Sequence, residues 1–553
     1  MKKKLCIALL LLALSAMMLS AQSDRSWFVK RDGNDDNNGR SEENAFRSLK
    51  KAFASAASSN VKTITVIGSI SAYGDTPNEG TGEVEILLKG LDENAKLTSG
   101  TFQIHGASKV RLENIIFVNY DSILRVFDNA SVIVGKDARF EKSGGISIND
   151  RAELTLESNA YINGSGVGIY INGGTVLMKD NAVITGCQYT GVEIQNSGSF
   201  TMQDNAKITG CKSSGVFLNQ HSVFTMKGSS SISENNTRNK SPESDIHRDS
   251  DGAGIFMNYT GNYYDRVFIG GEISKSGIGP YPIVTLQDKA SITGNTAGGR
   301  GGGIFMGSGQ LIIKDNAVIS GNKAKKGGGI YYGPEGNSIV GQKNAEHLTQ
   351  YLGSEVTGNW DNYMSSNYIG QGKAPPGLDK IFIGYPALLT IQGSALITNN
   401  QASEGGGVYA VQGTSGAVIE YKYVKGRNRP FTPDFNNAKF TFHATGITMS
   451  GGSISGNKAD YGAGVYAAGT ASYQPITLNT SVSTQKESWV FTLGNAAVAP
   501  AFTLSGGSIT NNEAEFVGGG VYEKVKNAFN KASGTLSGNK AGDGEGEDIY
   551  QQK

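Results

Sequence analysis

Ile319-Ser-Gly-Asn322-Lys-Ala-Lys-Lys-Gly-Gly-Gly-Ile330-Tyr331 is one copy of a run that recurs along the chain. The same frame returns at Ile292–Phe305, Ile397–Tyr409, Ile454–Tyr466 and Ile509–Tyr522, with a degenerate copy at Leu536–Tyr550. Weaker copies stand upstream, where Ile184-Thr-Gly-Cys187 and Ile208-Thr-Gly-Cys211 lie 24 residues apart. A short apolar-alternating run precedes each copy, as at Phe200–Gln203, Leu311–Lys314 and Phe502–Ser505. Self-similarity at this period means a solenoid. Within one period, Phe200–Gln203, Lys207–Thr209 and Val216–Asn219 each alternate with period two, the mark of a strand with one face buried. Gly, Asn, Asp and Ser separate them, and glycines between the second and third segments allow turns at positive φ. Three strands and three corners per turn predict an all-β fold: a single-stranded, right-handed parallel β-helix. Glycine, 76 of 553 residues, is about twice as frequent as the usual ~7 %, largely because of the repeats.

Lys2-Lys3-Lys4, the apolar run Leu5–Leu14 and the small residues before Ala21 read as a secretory signal peptide over residues 1–21, too short for a membrane span. No transmembrane helix is expected in the mature chain. Fifty basic and 49 acidic residues leave a formal charge of +1, which gives no electrostatic reason to expect a nucleic acid or an anionic membrane as partner.

Residues 22–62 read as an N-terminal cap and 63–553 as the solenoid. Trp27–Lys30 is a predicted strand, Asp32–Gly39 a turn-rich loop, and Ala45–Ala57 a short amphipathic helix carrying Phe46, Leu49 and Phe53. Such a cap would cover core side chains and strand edges at a solenoid end. Trp27-Phe-Val, Asp32-Gly-Asn-Asp, Asn38-Gly39, Ala45-Phe46, Leu49, Ala52-Phe53 and Thr63-Ile-Thr-Val66 resemble the cap and first turn of the pectate-lyase-like β-helix superfamily. The Ile-x-x-Asn and Gly-Gly-Gly/Ala-Ile/Val repeat resembles that of chlamydial polymorphic outer-membrane proteins and similar bacterial surface proteins. Those carry Phe-x-x-Asn and Gly-Gly-Ala-Ile, and they end in a membrane β-barrel. Here the repeats continue to Ile549-Tyr550, so the resemblance does not carry over an autotransporter route.

Enzymatic motifs are sparse. Glycoside hydrolysis needs paired carboxylates across a cleft. Of the Asn-Thr-Asp, Asp-Asp, Gly-His-Gly and Arg-Ile-Lys series of polygalacturonase-like enzymes, Asn236-Thr237-Arg238 matches two letters of the first, while Gly-His-Gly and Arg-Ile-Lys are missing. The five histidines share no motif, and no Gly-x-Ser-x-Gly nucleophile stands between a strand and a helix. No catalytic residues, resident metal or cofactor are therefore assigned. Two clusters, Asp32/Asn34/Asp35/Asp36 and Asp245/Asp249/Asp251, have the oxygens that Ca²⁺ takes. Turns use the same residues, and neither cluster has a full EF-hand frame.

Asn295, Asn322, Asn400, Asn457, Asn512 and Asn539 occupy one place in successive copies. Stacked amides there would donate one way along the solenoid and accept the other, a structural role. Cys187 and Cys211 take that place in two earlier copies. A disulfide or two buried thiols both fit, and neither implies catalysis. Long insertions at 259–282, 333–386, 412–443 and 467–500 all follow a third strand and so should emerge from one corner, a common binding face in repeat proteins. Val418–Val424 with Lys439–His443, and Ile476–Leu478 with Trp489–Leu493, read as hairpins. Trp360, Tyr363, Tyr368, Tyr421, Tyr423, Arg427, Arg429 and Trp489 are the candidate ligand-binding residues, since aromatics and Arg anchor sugars and proteins. They would equally pack the hairpins onto the solenoid.

The sequence thus leads to a secreted, cell-surface or outer-membrane-associated bacterial protein, with the periplasm as a further possibility. It would be adhesin-like or structural, binding a host or cell-surface protein or glycan without catalysis. The alternative is a polysaccharide lyase or glycoside hydrolase. Three or more carboxylates beside a Lys or Arg in one groove would favour the enzyme. A flat, aromatic, loop-lined edge would favour the binder.

Overall fold

The computed structural model describes residues 26–71, 85–98, 100–118, 124–164, 166–219, 221–237, 250–257, 267–269, 282–333, 380–383, 387–411, 417–424, 432–442, 445–468, 476–482, 485–491 and 500–552. For 267–269, 380–383, 417–424, 432–442, 476–482 and 485–491 only the backbone is described. Contacts divide the chain into a unit ending at Thr185 and one beginning at Gly186.

In the first unit, Trp27–Lys30 pairs in parallel with Thr63–Ile67. The only α-helix among the described residues, Leu49–Ala57, packs at this end. Ser48 caps it by accepting from Lys51 N, and Leu49, Ala52, Phe53 and Ala56 are buried. Phe53 stacks on Phe102 at 5.6 Å and Trp27 on Phe46 at the same distance. Gly39 has a φ of +67° and lies so close to the Phe46 ring that a Cβ would overlap it. Beyond the cap, successive coils repeat every 22 residues on the first face: Ser131 pairs with Glu153, and Glu153 with Thr175. Val132, Leu154 and Val176 point inward and are buried, each contributing about 1.5–3 kcal/mol. On the outer side Arg111 reaches past Gly135 of the intervening coil to Glu157 at 2.7 Å, and Lys179 closes on Glu157 at 3.1 Å. Burial opposes the Glu157 charge, but the hydrogen bonds from Arg111 and Lys179 hold its carboxyl below the usual range.

The second unit continues the same plan with the predicted register. Ile232, Ile292, Ile319, Ile397, Ile454, Ile509 and Leu536 pair in succession on the second face. Third strands stack from Val192–Gln195 to Ile549–Gln551. Each unit is therefore a parallel β-solenoid, and the described residues are all-β apart from that helix.

Two features differ from the three-strand reading. First, a fourth strip of parallel bridging lies between second and third strands. It links Asn236, Thr296, Lys323, Gln401 and Lys458, then Lys458 to Glu513 and Glu513 to Lys540. Second, only the first glycine of each triplet takes a positive φ, as at Gly301, Gly327 and Gly405. The other two are required by close approach: a Cβ on Gly329 would lie 2.5 Å from the Gly407 carbonyl oxygen of the next coil.

The intervals 258–282, 333–386, 412–444 and 469–501 each separate a third strand from the next first strand, so they leave from one corner. An interruption at 234–254 sits at a different corner, between a second and a third strand. Its return is fastened by Asp251, whose carboxylate takes Arg300 N at 2.7 Å and the Arg300 guanidinium at 2.8 and 3.0 Å.

Candidate functional site

The asparagine row is a continuous hydrogen-bonded column. From Asn295 through Asn322, Asn400, Asn457 and Asn512 to Asn539, each Nδ2 donates to the next Oδ1 at 2.9–3.0 Å. Each backbone N–H donates to that same oxygen at 2.9–3.1 Å. The second Nδ2 hydrogen goes to an Ile carbonyl of the preceding coil, for example Asn400 to Ile319 at 3.0 Å. Every carboxamide thus ties three coils together and leaves no buried polar atom unmatched. Asn235, absent from the sequence-based row, belongs to it: its Nδ2 donates to Asn295 Oδ1, and its Oδ1 accepts Cys211 N. Asp548 closes the other end, accepting Asn539 Nδ2 at 2.8 Å.

Cys187 and Cys211 are buried thiols with no disulfide between them. The hydrogen bond with Cys187, followed by burial, pushes the Cys211 thiol well above its ordinary pKa. Because the thiolate is the nucleophile, both cysteines should resist alkylation in the native protein and react rapidly once it is denatured. Timed mass spectrometry with iodoacetamide checks this; prompt double labelling under native conditions would place the thiols at the surface.

A second row faces outward. In third strands such as Val216–Leu218 the flanking residues point into the coil and the central one points away. Those central residues are Phe217, Phe256, Phe305, Tyr331, Tyr409, Tyr466, Tyr522 and Tyr550, a cluster of their own. Neighbouring rings stack at 4.6–5.4 Å with tilts of 4–20°. The Arg300 guanidinium lies 4.9 Å from Phe305 and 5.0 Å from Tyr331, and Lys326 Nζ lies 5.1 Å from Tyr409. Burial disfavours the Lys326 charge, yet Tyr409 and Glu404 outweigh it and hold the ammonium above its usual pKa.

The fourth strip borders a cleft of about 390 Å³ lined by equivalent positions of four successive coils: Gln401 and Ala402; Lys458, Ala459 and Asp460; Glu513, Ala514 and Glu515; Gly542. Lys458 pairs with Glu513 at 2.9 Å. Its hydrogen bond holds the Glu513 carboxyl below the usual range. One residue beyond Asp460 and Glu515, the exposed rings of Tyr461 and Phe516 stand 5.2 Å apart. No protein-family model matches this chain, no curated protein matches it, and no solved structure matches it.

The insertions build sheets of their own. Val267–Ile269, Lys380–Ile383, Ala417–Val424 and Thr432–Phe442, from three different insertions, form one four-stranded antiparallel sheet. Ile476–Val482 and Gln485–Phe491 form a separate hairpin whose register pairs Leu478 with Trp489. Tyr421 and Tyr423 therefore lie on the four-stranded sheet, while Trp489 lies on the other. Trp360, Tyr363, Tyr368, Arg427 and Arg429 lie outside the described residues, as do residues 1–25 and Asp245 and Asp249 of the second acidic cluster. Asp251 is engaged by Arg300. In the first acidic cluster Asp35 accepts Arg47 N, Ser48 N and Ser48 Oγ at 2.7–2.9 Å, and so fixes the start of the helix. Among the described residues no group of three or more His, Cys, Asp or Glu side chains is placed to hold a metal ion.

Sequence reading missed the cleft, Tyr461 and Phe516. The available signal was the pair of variable positions either side of Ala in Asn-x-Ala-x, where Gln401/Ser403, Lys458/Asp460 and Glu513/Glu515 differ while their neighbours repeat.

Proposed function

We propose that this protein is a secreted or cell-surface bacterial β-solenoid that binds a host or cell-surface protein or glycan, adhesin-like, without catalysing a reaction. The observation that carries this reading is the four-stranded sheet assembled from three successive insertions. The solenoid serves as a rigid rack, and the variable loops of several coils pool into one presented surface. The predicted signal peptide supports export. The likeness of the repeats to those of bacterial surface proteins, and of the cap to the pectate-lyase-like superfamily, supports a relationship to such proteins. Among the described residues no helix is long and apolar enough to cross a membrane. Replacing residues 412–443 by a short Gly-Ser link should leave the circular dichroism of the solenoid unchanged, because each coil leans on its neighbours. The same change should abolish binding to a panel of surface glycans and cultured cells. Retained binding would move the ligand site off this sheet.

The cleft favours a second reading, a polysaccharide lyase or glycoside hydrolase. Asp460, Glu513 and Glu515 stand there beside Lys458. Lys458 holds the Glu513 carboxyl below its usual range, which leaves Asp460 and Glu515 as the carboxylates to test. New reducing ends or unsaturated products from pectin-like polymers, lost in Asp460→Asn and Glu515→Gln, would establish it.

A further inference from the structure

The exposed charges of the fourth strip are ordered along the second unit. Lys323 and Lys325 are exposed upstream, and Glu513, Glu515, Asp543 and Glu545, with Lys540 among them, are exposed downstream; Arg300 and Lys326 are half-buried and already paired with Asp251 and Glu404. Between them stand the coils of Gln401 and Lys458. We propose that this strip is the interface of a two-fold homodimer in which two copies lie antiparallel, strip against strip.

The occupant follows from the charge order. A two-fold axis between the Gln401 and Lys458 coils reverses the strip onto itself. Lys323 and Lys325 of one copy then face Glu513 and Glu515 of the other, and the same contacts form a second time across the axis. Gln401 comes opposite Lys458, and Glu404 opposite Tyr461. No other relative shift sets both lysines against both glutamates while keeping the symmetry. A uniformly charged partner would be repelled at one end of the strip, whereas a second copy is complementary at both. Ala402, Ala459 and Ala514 keep side-chain bulk low along the middle. Tyr461 and Phe516, exposed by 37 % and 38 %, supply apolar area beside the charges.

Size sets the strength. Six coils at ~4.8 Å and a strip about four residues wide at ~3.3 Å each give a few hundred Å² per partner. That is well below the ~800 Å² of a standard interface, so the dimer is weak and electrostatic. Its effect on the proposed binding would be to present two insertion sheets at once and raise avidity.

Sedimentation equilibrium of the full chain tests this. The wild type should show a monomer–dimer equilibrium at low ionic strength that disappears near 1 M salt, where the Debye length is only about 3 Å. Lys323→Glu/Lys325→Glu and Glu513→Lys/Glu515→Lys should each weaken self-association by about tenfold or more. An equimolar mixture of the two double variants should associate again, because each then offers the charges the other needs. All four positions are exposed, so unchanged circular dichroism should accompany each variant. A wild type that stays monomeric at low salt, variants that dimerise as the wild type does, or a mixture that fails to recover association would each overturn the proposal.

Discussion

Asn400→Ala should destabilise the protein by about 3–6 kcal/mol, from the ~1–3 kcal/mol that each stranded buried polar group costs. The Asn400 carboxamide sits mid-column and is fully buried. Its oxygen accepts the Asn322 backbone N–H and Nδ2 at 3.0 Å, and its nitrogen donates to Ile319 O and Asn457 Oδ1 at 3.0 Å. Alanine leaves two donors of Asn322 without an acceptor and the Ile319 carbonyl without this donor. Asn400→Asp should be worse. It puts an oxygen against the Ile319 carbonyl and Asn457 Oδ1, and acidification, by protonating the new carboxyl, should restore part of the loss. Asn539→Ala should cost less than the central variant, because its Nδ2 donates to the half-buried Asp548 carboxylate, which can turn to water, and not to a further carboxamide of the column. Guanidinium midpoints, with hydrogen exchange to show whether coils open locally, give the comparison. A midpoint for Asn400→Ala equivalent to less than about 1 kcal/mol would mean that the column adds little to the stacking of the coils.

The column also shows why much of the fold was legible. A solenoid is built by translation, so a residue recurring in the sequence recurs in space one strand spacing away. Reading Ile292, Ile319, Ile397, Ile454 and Ile509 as equivalent therefore already states the register of a sheet. Asn235 escaped because its coil reads Ile232-Ser-Glu-Asn, with Glu234 holding the positive φ elsewhere given to Gly294 or Gly321. The insertion at 238–249 also separates Asn235 from the Gly252-Ala253-Gly254 turn that follows the asparagine closely in other copies. The fourth strip escaped because Lys-Ala-Lys-Lys or Gln-Ala-Ser-Glu has no apolar alternation to announce a strand. The outward aromatic row was present in every Ile-Tyr or Ile-Phe. A three-residue apolar run such as Ile330-Tyr-Tyr332 does not declare which side chain faces out when both sides are covered. The cleft was least legible of all. Its walls combine Gln401, Lys458, Glu513 and their partners from coils separated by long insertions, and their chemistry exists only once the coils are stacked.

Stability should fall steeply above pH 10, and the tyrosines state the sign. Tyr332 is buried, donating its hydroxyl to Ala387 O and accepting Gly446 N, both at 2.7 Å. Burial pushes its pKa far up. Tyr466 is raised by burial and then by the negative charge of Glu404 and by its neighbours Tyr409, Tyr522 and Tyr461. Tyr522 is raised by burial and then by Tyr550, Tyr461 and Glu404. All three are neutral when protonated, and their folded pKa values lie above the ~10 of an unfolded chain. Below pH 10 both states keep the proton and the stability is fully present. Above it the unfolded chain releases protons that the fold retains, so stability is lost as pH rises. Tyr332 and Tyr466, the two strongly raised tyrosines, each contribute up to about 1.4 kcal/mol per pH unit, hence about 3 kcal/mol per unit together, until the folded pKa is reached, and Tyr522 adds a smaller part. Thermal melts between pH 8 and 12 should show Tm level at first and then dropping sharply. Tyr466→Phe keeps the ring between Tyr409 and Tyr522 but removes the acid, so it should reduce the slope by up to about 1.4 kcal/mol per pH unit, roughly half of the tyrosine total. A melt that is flat through pH 11, or a slope unchanged in Tyr466→Phe, would show that these hydroxyls are solvated, and that the outer aromatic row is open to water rather than packed.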